Sequence, residues 1–262
     1  MATIKVLVNG ATGKMGTETV AAVTRQEDLA LVGATCFRDR GPSLNLSNGE
    51  QIPLSTDLAE LIQRVKPDVM VDFTNATVCM ESAVIAAANS INMVLGASGF
   101  SPEQLAQLDA LASDNGIGII VAPNFALGAV VLKRLAEQAA PYFDYVDIVE
   151  SHHEAKIDSP SGFALALMRS LGESKQFTRN QPEKENLPGT RGGEYNGVTI
   201  HSIRMPGRSA HHEVIMGAPG QTVSLRHDTL GRDCYMPGVL RCIREVVKQP
   251  GLIVGLEKVL GL

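Results

Sequence analysis

The stretch Val149–Ala164, VESHHEAKIDSPSGFA, sets two adjacent histidines, His152 and His153, just ahead of Lys156 and a Pro-Ser-Gly turn. Imidazole titrates near neutrality, at an unperturbed pKa of about 6.5, so it can take and give a proton in one catalytic cycle. A lone histidine is more often structural than catalytic. Two of them beside a lysine and a small-residue turn form a proton-transfer set. On a strand His152 and His153 face opposite sides, so they serve different tasks, one as acid or base and the other in binding. Lys156 offers a proton and a fixed positive charge. Ser161 and Gly162 at a helix start would present hydroxyl and N–H donors to a carboxylate. Such a set suits an anionic substrate that is protonated as a hydride arrives. Glu150 and Asp158 read as helix-start or supporting groups. No metal is expected, because adjacent histidines lack the i, i+4 spacing of HExxH and no cysteine is near.

A second chemical signal lies at the start of the chain. TIKVLVN reads as a strand, Gly10-Ala11-Thr12-Gly13-Lys14-Met15-Gly16 as a loop, and TETVAAVTRQ as a helix. Glycines let the backbone turn tightly and approach a pyrophosphate, and the helix start offers unpaired N–H groups. The spacing is GxxGxxG, not GxGxxG, and a purely structural turn remains the alternative. After the second strand the sequence runs Phe37-Arg38-Asp39-Arg40. Asp39 could hold a ribose hydroxyl, whereas guanidinium groups suit a 2′-phosphate. The expected cofactor is therefore NADPH, with NADH as the alternative and solvated surface charges as the structural reading of the arginines. Gly96-Ala97-Ser98 and Ala122-Pro123-Asn124-Phe125 follow later strands, where ligands sit in open parallel sheets.

The elements that must hold these groups alternate. Strands are expected at DLALVGATCF, PDVMVDFT, NMVLGAS and GIGIIVAPN, with helices at DLAELIQRV, ESAVIAAANS and SPEQLAQLDALASDN between them. Alternation predicts an α/β fold, a Rossmann-type doubly wound parallel sheet. After Asn124 the texture changes. LGAVVLKRLAEQAAPYF reads as one helix, YVDIVESHHE as a strand and SGFALALMRSLGES as a helix. Residues 174–197 read as a long polar loop. VTIHSIRM, HHEVIMGAPG and QTVSLRHD read as an antiparallel meander, and MPGVLRCIREVVKQ as a last helix. The expected organisation is a dinucleotide-binding domain of residues 1–124 plus 231–262, and an α+β substrate-binding and oligomerisation domain of residues 125–230 with a mixed or antiparallel sheet.

Composition excludes several classes. The formal charge of −5 and the absence of tryptophan argue against nucleic acid as a partner. No apolar run reaches membrane-spanning length. The scattered Cys36, Cys79, Cys234 and Cys242 form no CxxC pair and read as thiols of a reducing compartment. The first residues enter a strand pattern without a signal segment, which suggests a cytoplasmic protein.

HHEAKIDSPSG resembles the E-x-H-H-x-x-K-x-D-x-P-S-G-T-A signature of the dihydrodipicolinate reductases. GATGKMG, VDFT, GASGF, APNFALG, RGGEYNGVTIHSIRMPG, HHEVIMG and HDTLGRDCYMPGV are similar, in order, to further motifs of that family. The resemblance implies an oxidoreductase in which NAD(P)H reduces a cyclic dicarboxylate, giving tetrahydrodipicolinate with loss of water in lysine (diaminopimelate) biosynthesis. It implies His152 as acid/base and Lys156 as proton donor. It implies His153, Ser161, Gly162, Phe163 and Arg232 as substrate contacts. Gly10, Ala11, Thr12, Gly13, Lys14, Met15, Arg38, Gly96, Ala97, Ser98, Ala122, Pro123, Asn124 and Phe125 would hold the cofactor. The assembly implied is a homotetramer built through the substrate-domain sheet. Phe163 stands where the family has Thr, so that position can offer only its backbone N–H. Phe37 replaces an acidic residue, which favours NADPH, GASG replaces GTTG, and Pro123 replaces a small residue. The Phe163 change and the EYNGVTIHSIRMPG loop resemble the cyanobacterial and plant branch. Two other readings compete. A semialdehyde-type dehydrogenase needs a nucleophilic cysteine, and Cys79 has no neighbouring histidine. A non-catalytic nucleotide sensor has no need of the His-His-Lys set.

Overall fold

A computed structural model describes residues 3–262, and the chain divides into two compact units, one running to Leu127 and resuming at Arg232–Leu262, the other Gly128–Gly231. The first unit contains β1 (Ile4–Asn9), α1 (Lys14–Thr24), β2 (Leu29–Thr35), β3 (Ser43–Asn45), β4 (Gln51–Ser55), α2 (Leu58–Val65), β5 (Val69–Asp72), α3 (Ala76–Ala88), β6 (Asn92–Leu95), α4 (Pro102–Asn115) and β7 (Gly118–Val121). α5 (Leu127–Ala139) leads into the second unit, which holds β8 (Tyr145–His152), α6 (Gly162–Ser174), β9 (Gly193–Tyr195), β10 (Val198–Arg204), β11 (Ala210–Ala218) and β12 (Gln221–Thr229). The chain then returns to the first unit with α7 (Met236–Val246), β13 (Gly251–Val254) and α8 (Leu256–Leu260).

The first sheet has eight strands in the order β13-β7-β6-β5-β1-β2-β4-β3, all parallel except the β3–β4 pair. β5 and β7 are buried at every position, as strands covered on both faces must be. The chain steps outward from β1 through β2 and β4, then jumps back to β5 on the other side of β1. That reversal opens a crevice at the carboxyl ends of β1 and β5. Helix starts are chemically marked. Asp57, Asn75 and Ser101 each cap the following helix by accepting a backbone N–H, and Ser101 with Gln104 forms a full capping box. Leu7, Met70, Met93, Leu95 and Ile119 from the strands pack with Leu61, Ala83 and Leu108 from the helices in one core.

The second sheet has five strands in the order β12-β11-β8-β10-β9. The expected meander is corrected here: β8 takes the centre, β11 pairs with it antiparallel and β10 parallel. Pattern alone marks these segments as strands but does not tell which neighbour each one takes. Alternation gives β8 one face that changes character along its length. Val146 and Ile148 on it join Val198, Ile200, Val214 and Met216 in the core under Leu167 and Leu171 of α6. Glu150 and His152 continue the same face beyond that core. Other boundaries differ as well. The helix read through Phe143 stops at Ala139 and passes into a short 3₁₀ turn, Ala140–Tyr142, where Pro141 cannot donate an intrahelical bond. The loop read over 174–197 contains the short strand β9, and α3 begins at Ala76 behind its Asn75 cap instead of at Glu81.

Candidate active site

The glycine loop sits at the crevice where strand order reverses. Gly10 has a φ of +78°, a left-handed conformation that costs glycine least. Gly16 allows the closest approach: a Cβ there would lie 2.2 Å from the Gly10 carbonyl oxygen and 2.7 Å from Ala11 Cα. A buried polar network fixes the loop from below. Asn9 Nδ2 donates to Asp72 Oδ2 at 2.6 Å and to Ser82 Oγ at 2.9 Å, and Thr35 Oγ1 donates to Asn9 Oδ1. Thr35 also holds the loop itself, accepting Gly10 N–H on Oγ1 at 3.2 Å and Ala11 N–H on its carbonyl at 2.9 Å. Asp72 takes the N–H and hydroxyl of Thr74, on the far side of the crevice. α1 has no side-chain cap at Gly13 and no acidic residue in its first turn, so its own residues leave its positive end unneutralised. Thr12, Gly13 and Lys14 are exposed and Met15 is half-buried there. This cradle fits a pyrophosphate.

Gly96, Ala97 and Ser98 follow β6, and Ala122, Pro123, Asn124 and Phe125 follow β7, so both loops leave carboxyl strand ends on the same side as the glycine loop. Gly96 is required by close packing, since a Cβ there would meet the Phe73 ring at 2.2 Å. Phe73 in turn meets Phe125 edge-on, with ring centroids 5.6 Å apart. Asn124 Oδ1 accepts the Ala126 N–H and holds its own turn. Arg38 and Arg40 are exposed beyond β2, and the Asp39 carboxylate between them is taken by the Gly41 N–H at 2.9 Å. Arg232 opens a short 3₁₀ turn, Arg232–Tyr235, in the first unit, whereas the remaining candidate substrate contacts all lie in the second.

In the second unit the histidines part as their alternation requires. His152 ends β8 and is buried; His153 follows the strand and is exposed. Because β8 is central, His152 stands in register with Arg204 of β10 and Ala210 of β11, and Glu150 with Ser202 and His212. Glu150 is fully buried. Its Oε2 receives His152 Nδ1 at 2.5 Å and Arg204 Nη1 at 3.0 Å; its Oε1 receives Arg204 Nη2 at 2.8 Å and the Ser161 N–H at 3.3 Å. Burial alone would raise its pKa, but the hydrogen bonds from His152, Arg204 and Ser202 outweigh it and hold the carboxyl at about 2. An ionised Glu150 has no proton to give, so the hydrogen shared across this contact belongs to His152 Nδ1.

Ser161 caps α6 through its Oγ, which accepts the Ala164 N–H and lies 3.3 Å from His212 Nε2. Burial, and then the neighbouring His152 charge, push His212 down to about 3, so it is neutral at ordinary pH. The His212 ring stands edge-on to His152 at 5.4 Å and to Phe163 at 4.7 Å. Gly162 is exposed at the first position of the helix. Lys156 is half-buried in the turn after β8, its Nζ 2.6 Å from Asp158 Oδ1. The lysine's hydrogen bond lowers the Asp158 pKa against a smaller opposing effect of burial. Glu150, read from sequence only as a supporting group, is the hub of the site. Arg204 and His212 were not singled out. Their signal was present in strand alternation, because each falls on the inward parity of its strand, but their neighbours follow only from the strand order.

Among the described residues no helix is long and apolar enough to cross a membrane and no cluster of metal-binding side chains occurs. Two family models, described as dihydrodipicolinate reductase N-terminus and C-terminus, match residues 4–125 and 128–260. A protein of Dehalococcoides mccartyi named 4-hydroxy-tetrahydrodipicolinate reductase is 47% identical, with 100% of both chains covered. One of the same name from a Cyanothece species is 45% identical over 98% of each. A dipicolinate-bound dihydrodipicolinate reductase from Paenisporosarcina sp. TG-14 superposes with a TM-score of 0.87 at 38% identity, covering 98% of this chain and 99% of that one.

Proposed function

The chain belongs to the dihydrodipicolinate reductase family and is an oxidoreductase of lysine (diaminopimelate) biosynthesis acting on 4-hydroxy-tetrahydrodipicolinate, and we propose that His152 and Lys156 move the protons of that reaction. The product is tetrahydrodipicolinate. One hydride and one proton are added and one water is lost. A bound pyridine nucleotide supplies the hydride, and the first unit is the proposed dinucleotide domain, the second the substrate domain. The observation that carries the assignment is the buried Glu150 carboxylate on Nδ1 of His152, which leaves Nε2 as the nitrogen to give or take a proton. The Lys156 ammonium delivers the one proton that is added with the hydride and screens the substrate's negative charge. Ser161, Gly162 and the Phe163 N–H, at the start of α6, offer donors to a carboxylate, with His153 and Arg232 as further contacts. A soluble dicarboxylate is the only partner the reading needs besides copies of the chain. It carries with it a cytoplasmic location and a homotetramer assembled through the second sheet, a state that light scattering on the purified protein would measure.

The direct test incubates the protein with freshly prepared 4-hydroxy-tetrahydrodipicolinate and each reduced nicotinamide, and follows loss of nicotinamide absorbance. Lys156→Ala is expected to fold and bind nucleotide yet lose kcat by about 10²–10⁴, the range general acid catalysis supplies. Near wild-type turnover would remove Lys156 from the reaction.

NADPH is the proposed preference. The supporting feature is that Asp39 is occupied within its own turn while Arg38 and Arg40 are exposed on either side. Replacing both arginines with alanine should raise KM for NADPH about tenfold or more and leave KM for NADH nearly unchanged, since only the 2′-phosphate loses charge-assisted bonds. Equal changes for the two nucleotides would assign the arginines to solvent.

A further inference from the structure

We propose that Glu150 and Arg204 act together as positioning residues, an ion pair that locks the ring of His152 in its Nδ1–H tautomer and ties it to the turn carrying Lys156. The proposal rests on the assignment of His152 as the acid/base and extends it. The pair is bidentate, with Arg204 Nη1 and Nη2 on the two oxygens of Glu150 at 3.0 and 2.8 Å. The same guanidinium reaches further. Nη2 also donates to the Asp158 carbonyl at 2.8 Å and Nη1 to the Ile203 carbonyl at 2.8 Å. Asp158 in turn holds Lys156 Nζ, so one arginine links the histidine side of the site to the lysine side. Glu150 meanwhile takes the N–H of Ser161, the cap of α6.

The geometry is more specific than burial alone requires. Arg204 Nε is buried and has no hydrogen-bond partner among the described residues. The guanidinium is therefore turned to present its fork to Glu150 at the expense of its third nitrogen. A carboxylate with every lone pair directed can accept from His152 but cannot rotate away. It thus fixes both which ring nitrogen holds the proton and where the other one points. As His152 takes up a second proton, the fixed negative charge stabilises the imidazolium without reorganising.

The test is Glu150→Gln, which keeps the shape and removes the charge. A carboxamide can either accept from Nδ1–H or donate to a bare Nδ1, so it no longer selects a tautomer. Two readings are made on the variant: the ring-nitrogen NMR signals of His152 in its neutral state, and kcat with KM for nucleotide and substrate. The expected result is a mixed tautomer with kcat lowered on the order of 100-fold and KM for nucleotide unchanged, the loss lying at the lower end of what acid–base catalysis supplies. A single Nδ1–H tautomer with any kcat, or a mixed tautomer with unchanged kcat, would overturn the proposal. Arg204→Lys gives a second arm if Glu150→Gln does not fold. It retains the charge but not the fork, and the same two readings should move in the same direction with a smaller loss of kcat; neither moving would also overturn the proposal. The NMR reading needs no substrate. Failure of the positioning pair is therefore separate from failure of the acid/base assignment, which would appear as a His152→Ala variant that keeps its turnover.

Discussion

Single residues carry most of the chemistry, and their legibility differed with how local their task is. The glycine loop could be read directly, because turn geometry and close approach are properties of a short segment. Gly16 makes this testable. With a Cβ placed 2.2 Å from the Gly10 carbonyl, Gly16→Ala cannot be accommodated by a side-chain shift, because the obstacle is backbone. The expected outcome is loss of nucleotide affinity by at least about tenfold, read by calorimetric titration, while the second unit keeps its fold; unchanged affinity would mean the loop relaxes freely. His152 and Lys156 stood out for the same local reason. Arg204 lies far from His152 in sequence yet is its register neighbour on β10, and no short-range pattern announces that. Glu150 was visible as a residue but not as a hub, since its importance comes from what converges on it from β10, α6 and its own strand.

Elements were legible by period and caps, and strand order was not. β1, β2, β5, β6 and β7 with their intervening helices follow from alternation, and Ser101-Pro102 marks the start of α4 as a capping signal should. β3 has only three residues and β4 carries Pro53 at its middle, which argues against a strand, so neither was expected. The misread meander shows the limit most clearly. A chain that runs β10, β11, β12 in sequence places β8 between the first two, and the site exists only because it does. The returning helix α7 offers a test at this scale. Arg244 donates through Nε and Nη2 to the two oxygens of Asp28, each at 2.7 Å, joining α7 to the turn between α1 and β2. This bond, against a smaller opposing effect of burial, lowers the Asp28 pKa from 3.8. Its stabilisation is therefore present above that value and fades as pH falls through the lowered one. The pair is largely exposed and screened, so Arg244→Ala should cost only about 0.5–1 kcal/mol in urea denaturation at neutral pH. The difference from wild type should vanish in strong acid.

At the scale of the whole molecule, the two-unit organisation follows from the change of texture after the seventh strand and from the polar and apolar periods on either side of it. Oligomeric state leaves no period to read. Acid stability is a property of the whole chain to which the candidate site contributes with a definite sign. His212 is neutral when folded down to about 3 but takes a proton at about 6.5 when unfolded. Glu150 stays ionised to about 2 when folded but protonates near 4.5 when unfolded. In both cases the unfolded chain binds more protons, so stability falls as pH drops, first below about 6.5 and again below 4.5. Each such proton adds about 1.4 kcal/mol per pH unit to the slope. His212→Asn should flatten the upper part of that slope in denaturation midpoints measured across the range, and an unchanged slope would mean the ring is not kept neutral. The late arrival of β13 beside β7 has a consequence for biosynthesis. During translation the Gly118–Val121 edge emerges early and stays uncapped until the ribosome has made everything up to Gly251. A chain cut short of that residue thus displays a bare, wholly apolar pleated margin, a template for pairing with another chain.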